Sequence, residues 1–184
     1  MVSATGENVM TNLYDLSVGN YRRVLQSSIA VMEKGASFFA EQGIDLDDII
    51  EMRLAPDMAA FPFQVNSVRH HSLGAAKGLL VGEFTPPPDL PELNYQGFID
   101  LLTEALAELD TVKPDAIAAV EGNAMYFRMG DFELPFTTEN FVQSFSLPNL
   151  YFHATTLYDM LRIKGVPLGK MDYLGKMNVG LPES

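Results

Sequence analysis

Apolar residues recur at helical spacing in four long stretches of the chain, and the period changes to that of a strand only once. In the closing stretch Leu150, His153, Ala154, Leu157 and Leu161 fall on one helical face, at i, i+3, i+4, i+7 and i+11. Ser146 is placed to cap the start of this helix, and Pro148 falls in its first turn, where a missing N–H costs little. Lys164, Gly165 and Pro167 form a stop: a cation, a left-handed residue and a breaker. Tyr151, Thr155, Tyr158 and Arg162 make a second face, so the helix is expected to pack on two sides.

The first long helix is expected from about Leu13 to Gln42, with Leu25, Ile29, Met32 and Phe39 in its buried stripe and Gly43 as C-cap. Gly19 and Gly35 weaken it by about 1 kcal/mol each relative to alanine. IDLDDIIEM suggests a short capped helix, and the proline in Arg53–Met58 redirects the chain. A second long helix follows from about Ala59 to Val81, its inward stripe marked by Phe61, Val65, Val68, Ser72, Ala75 and Leu79. GEFTPPPDLP then reads as a stiff extended connector. The third long helix, from about Tyr95 to Val112, carries Phe98, Leu101, Leu102, Ala105 and Leu109, with Asn94 to cap it and Pro114 to stop it.

From Glu121 to Phe136 the residues alternate around Gly130-Asp131, the pattern of a β-hairpin with a tight turn. Two strands alone are marginal, so the hairpin must lie on the helices or pair with another copy. Thr137 or Thr138, with Glu139, opens a short helix leading into the closing one. The expectation is an all-α fold of four main helices with a small β-hairpin insert before the last. Residues 1–11 are expected as a loose arm, 12–175 as a single domain and 176–184 as a tail.

Bulk composition narrows the function classes. At 184 residues and 47% apolar content the chain can bury a core. A formal charge of −12 argues against nucleic-acid binding and docking on anionic lipid. With no cysteine there is no disulfide, thiol nucleophile or zinc–thiolate site. No signal peptide or membrane-length apolar run is evident, so a cytoplasmic location is expected.

Candidate chemistry rests on three histidines, His70, His71 and His153. His70 and His71 point about 100° apart on a regular helix, so they do not easily serve one metal. His71 lies nearer the stripe and would approach His153 if the second and closing helices pack together, the way metal sites form in helical bundles. The functional reading makes His153 an acid/base group or ligand. The structural reading makes it a hydrogen-bonded core residue. A zinc enzyme typically needs three protein ligands, and no HxxxH, HxxE or ExxH pairing is present. Arg53 and Asp57 either flank a pocket mouth or form a structural ion pair or cap at the turn. Gln64 lies close to the inward stripe and needs a partner if buried. Tyr14, Tyr151, Tyr158 and Phe152 line an aromatic pocket or pack in the core. GVPLGK lacks the spacing of a phosphate loop and follows a helix where such a loop precedes one.

RLAPDM, PNLYFHATTLYDMLR and GVPLGKMDYLG together resemble an uncharacterised domain family of bacteria and fungi, classed among the DinB/YfiT-like helical bundles. The resemblance runs from Leu13 to Gly175 and includes LYDLSV and QGIDLDDII. It implies a DinB-like up-and-down four-helix bundle, often a homodimer, in a superfamily whose better-known members hold a divalent metal with three histidines. Those members usually carry a paired HxxxH on the last helix, whereas here Leu157 stands four residues after His153. His153 matches the family's PN-aromatic-aromatic-H block. His70 stands where the family tends to have an aspartate, His71 matches an aromatic or histidine, and Leu73 replaces a frequent lysine.

The resemblance thus promotes His70, the stripe promotes His71, and both stay candidates. The leading expectation is a small-molecule protein, an acid/base or metal-assisted enzyme, with a pocket between the second and closing helices. His153, His70 and His71 would be its catalytic groups or its ligands to Zn, Ni or Mn. Gln64, Asn149, Tyr151, Arg53 and Asp57 would contact the substrate. The alternative is a non-catalytic dimeric module whose histidines are core residues.

Overall fold

The computed structural model describes residues 11–177 and residue 179. The expected arm and tail therefore lie largely outside the described residues. Long helical rods form where the apolar period predicts them. Helix α1 passes from a π-helical turn, Asp15–Gly19, into Asn20–Gln42. Asn12 caps it, its Oδ1 accepting from the Asp15 amide at 2.9 Å. Gly43 ends it in the left-handed region at φ 65°, as its C-cap position requires. Helix α2 is the short Asp47–Ile50.

Helix α3 is continuous through Phe61–Arg69, a π-helical turn His70–Gly74 and Ala75–Val81. Phe61, Val65, Val68, Ser72, Ala75 and Leu79 are all buried, as their spacing predicts. Helix α4, Tyr95–Leu109, is capped by Asn94, whose side chain accepts from the Gly97 amide. Where only a stop was expected, Pro114–Ala118 forms a short α5.

The closing helix α6 is longer than predicted. It runs through Thr138–Phe141, a π-helical turn Val142–Ser146 and Leu147–Ile163. Thr137 caps it, with Oγ1 accepting from the Asn140 amide at 3.2 Å. Ser146 is thus a mid-helix residue and not a cap. Its hydroxyl donates to the His71 carbonyl at 3.0 Å and accepts from Tyr21 Oη at 2.8 Å. Pro148 brings no N–H to the ladder, and it sits just after the wide turn, where regular i to i−4 bonding is already interrupted. After Gly165, at φ 93°, a short α7, Lys170–Leu174, packs back on α1.

The expectation of an all-α fold needs correction, because the hairpin belongs to a three-stranded sheet. Strand β1 is Glu83–Phe84, β2 is Ala124–Met129 and β3 is Phe132–Thr137. The order is β1-β2-β3, with β1 parallel to β2 (Glu83 opposite Tyr126) and β2 antiparallel to β3 (Ala124 opposite Thr137). The start of the proline-rich connector is therefore a strand. Its physical reason is Phe84, which is buried against the rings of Phe141 and Phe145. Gly78 admits the strand: a Cβ there would stand 2.8 Å from the Glu83 carbonyl oxygen. The hairpin lies on the helices through Phe127 and Phe136, both against Phe145.

Helix α1 packs on α4 and α6, and α3 packs on α6 and α4, enclosing a mostly aliphatic and aromatic core. No helix among the described residues is long and apolar enough to cross a membrane.

Candidate functional site

The wide turn of α3 holds His70 and His71, and both are buried, at 8% and 7% exposure. A regular helix would turn one of them toward solvent; here the π-helical turn and β1 beside it cover both. The His70 ring stacks on Phe84, with centroids 4.3 Å apart. It also lies over Gly74, where a Cβ would come within 2.7 Å of Nδ1. His70 Nε2 donates to the Thr85 carbonyl at 2.6 Å, and since a carbonyl only accepts, that nitrogen carries the proton. Burial holds its pKa below the ordinary value, against the Thr85 hydrogen bond, which raises it.

His71 is enclosed by Phe84, Phe145, His70 and His153, with ring centroids 5.3 to 6.0 Å away. Its ring is nearly parallel to that of His153, at 14°. Its buried Nδ1 has no hydrogen-bond partner. Burial, followed by the two neighbouring imidazoles, pushes its pKa down to about 3.

His153, on α6, faces α3. Its Nδ1 is 2.8 Å from Gln64 Oε1, and the Gln64 amide is oriented by its other end, because Nε2 donates to the Ala59 carbonyl at 3.0 Å. The His153 proton therefore sits on Nδ1, and Nε2 keeps its lone pair. Phe63 and Phe152 stand edge-on to the ring, with centroids 5.7 and 5.2 Å away, and are themselves 45% and 58% exposed. Burial pushes the His153 pKa down to about 4, so the imidazole is neutral at pH 7.

The other residues singled out from the sequence are placed as follows. Gln64, 2% exposed, has both ends of its amide occupied, so it positions His153. Arg53 donates to the Met58 carbonyl, the neighbour of the carbonyl that Gln64 holds, and so secures the same turn. The Arg53–Asp57 ion pair is not formed among the described residues, and Asp57 is exposed. Asn149 donates within its own helix to the Phe145 carbonyl at 2.7 Å. Tyr151 faces α1, with its hydroxyl 3.5 Å from Asn20 Oδ1, about 200° around the helix from His153. Tyr158 stands edge-on to Tyr173. The structure thus joins His153, Gln64, His71 and His70, and directs Tyr151 and Asp57 elsewhere.

The divalent metal implied by the resemblance does not fit these donors. No group of three or more His, Asp or Glu able to hold a metal exists among the described residues. His70 Nε2 and His153 Nδ1 carry protons that are already donated, to Thr85 and Gln64. That spends one nitrogen on each of two rings, and His71 is packed parallel to His153 with no carboxylate beside it.

The expected pocket between α3 and α6 is filled by the stacked rings. A cleft of about 790 Å³ opens on the other side of Phe63, between α2, the start of α3 and residues 87–94. Sequence reasoning missed Phe84, Phe145, Thr85 and the site role of Ser146. The signal available for Phe84 was the Glu83-Phe84 pair ahead of the prolines, a possible strand next to a hairpin rich in aromatics.

No curated protein matches the chain. A solved structure described as a DinB family member protein from Shewanella denitrificans is similar to it, with a TM-score of 0.77 and 26% identity over 94% of this chain and 100% of that one. The model of a domain of unknown function, DUF1993, matches residues 13–174. With its mainly helical fold shared with a DinB family member, the chain belongs to the DUF1993 family.

Proposed function

We propose that this protein takes a small molecule at the half-buried outer edge of His153, beside Phe63 and Phe152, with the imidazole accepting a proton or hydrogen bond from it. The observation that carries this reading is the Gln64–His153 pair. An amide fixed at both ends aims Nδ1–H inward and leaves Nε2 unprotonated on a ring that burial keeps neutral. Such a nitrogen takes a proton from an O–H or N–H donor, and the cost of burying the resulting cation drives the proton's return. Phe63 and Phe152 supply exposed apolar edges against which a ligand body would pack. His71 backs the ring as a neutral stacking partner. In this reading the four long helices are the up-and-down bundle of the DinB-like fold, with the sheet as an insert.

A fragment screen of small alcohols, amides and azoles tests it, comparing wild type with His153→Gln by ligand-observed NMR. Expected are fragments that lose about tenfold or more in affinity in the variant, a loss of about 1.4 kcal/mol, while the fold is kept. Fragments that bind both proteins alike would end the proposal.

A second reading, a non-catalytic dimeric module with core histidines, is favoured by the enclosure of His71 on every side by aromatic rings. It predicts a concentration-independent dimer in sedimentation velocity and no fragment dependent on His153.

A further inference from the structure

The 790 Å³ cleft is separate from the His153 edge and shares only Phe63 with it. Its volume lies within the range of small-molecule sites. Four carboxylates line it, Asp47 at the start of α2 and Glu51 just after its end, with Asp89 and Glu92 from the opposite wall, and no lysine or arginine does. None of the four takes part in an ion pair among the described residues. The cleft is therefore a region of negative potential, on a chain already carrying −12.

The four carboxylates do not converge: no three acidic groups come together as a metal-holding cluster. Their charge is spread around a rim, and what lies between them is apolar, from Phe63 and Phe98 on the helices to Leu90 and Leu93 on the connector.

Half of the wall made by residues 86–93 is proline. Pro86, Pro87, Pro88 and Pro91 have no N–H, and no backbone–backbone hydrogen bond engages this segment. Besides the packing of Leu90 and Leu93 on the core, one hydrogen bond among the described residues ties it, from Asn66 Nδ2 to the Pro88 carbonyl at 2.9 Å, and it fixes the orientation of the Asn66 amide. Asn66 lines the cleft, is 6% exposed, and its Oδ1 is buried with no donor. A buried amide oxygen left without a donor is costly, and a ligand N–H would relieve it.

We propose that this cleft binds an amphipathic organic cation, a protonated amine or guanidinium on an apolar body, with Asn66 Oδ1 as acceptor at its wall and Asp47, Glu51, Asp89 and Glu92 balancing the charge. The rim offers acceptors and charge, the interior offers apolar surface, and only a ligand with both properties matches the whole of it. The assignment does not depend on His153.

The test uses the full chain and three probes of one shape: phenethylammonium, phenethyl alcohol and hydrocinnamate, titrated by calorimetry. The cation is expected to bind at least about tenfold more tightly than the alcohol and the carboxylate, and to weaken as salt is raised to about 0.5 M. In the triple variant Glu51→Gln, Asp89→Asn, Glu92→Gln, all at exposed positions, its affinity should fall by about tenfold. Asn66→Leu should also lower it, and His153→Gln should leave it unchanged. Equal binding of the three probes, an unaltered affinity in the triple variant, or no binding of any probe at millimolar concentration would overturn the proposal.

Discussion

At the scale of single residues, the three histidines act through their neutral forms, and this fixes the acid behaviour. His71 and His153 titrate near 3 and 4 in the folded chain, against 6.5 for an unperturbed imidazole, and His70 is also lowered. Because the folded pKa values lie below the unfolded ones, the unfolded chain binds more protons between them. The stabilisation is complete above about pH 6.5 and is lost as pH falls toward 4 and then 3. Urea midpoints measured down that range should drop for wild type and drop less steeply for His153→Gln. Gln64→Glu makes a second prediction: a carboxylate against Nδ1 should raise the His153 pKa from about 4, as read by NMR titration of the ring. An unchanged pKa would mean that residue 64 does not govern the ring. The pairing of Gln64 with His153 was half legible, since a buried glutamine one turn from the stripe demands a partner. The choice between His70 and His71 was not legible, because a stripe argument presumes an unbroken α-helical phase and the phase breaks at residue 70.

At the scale of elements, a hydroxyl chain and a close glycine approach add to the apolar contacts between the helices. Tyr21 Oη, Ser146 Oγ and the His71 carbonyl link α1, α6 and α3 in the core. Ser146→Ala strands the buried Tyr21 hydroxyl and should cost about 1–3 kcal/mol in chemical denaturation. Gly35, which weakens α1 on propensity alone, is required by packing: a Cβ would meet Tyr95 Oη at 2.7 Å, the same hydroxyl that donates to the Met32 carbonyl. Gly35→Ala should therefore destabilise by about 1–3 kcal/mol instead of stabilising, as a helix-interior Gly→Ala change otherwise does. The α1, α3 and α4 stripes and the hairpin turn were readable because their burial is local and periodic. Strand β1 was not, because two residues become a strand only when β2 is beside them. The start of α6 was misplaced because Ser146 has the side chain of a cap and the job of a bridge.

At the scale of the whole molecule, 24 acidic residues face 12 basic ones, and the described ion pairs, such as Arg22–Asp110 and Lys77–Glu108, are largely exposed. Added salt weakens these pairs a little and screens the overall repulsion more, so the melting temperature should rise between low and about 0.5 M NaCl. A fall would show that the pairs outweigh the repulsion. The general shape was legible from composition and period, while the cleft was not, since it forms where the proline segment folds back over α2 and α3. The π-helical turns carry a consequence for the lineage of such chains. Asp15–Gly19, His70–Gly74 and Val142–Ser146 each take up one extra residue in a single wide turn, so that the rows of side chains on either side stay in step. Healing one by deleting a single residue, Leu73 for example, would close the wide turn to a regular one and leave the flanking turns near their present phase, whereas the same deletion in a regular stretch would rotate half of α3 by about 100° against the rest. Single-residue gain or loss is thereby absorbed at the wide turns of these helices, and a relative with a straight second helix would keep the contacts on either side of residues 70–74.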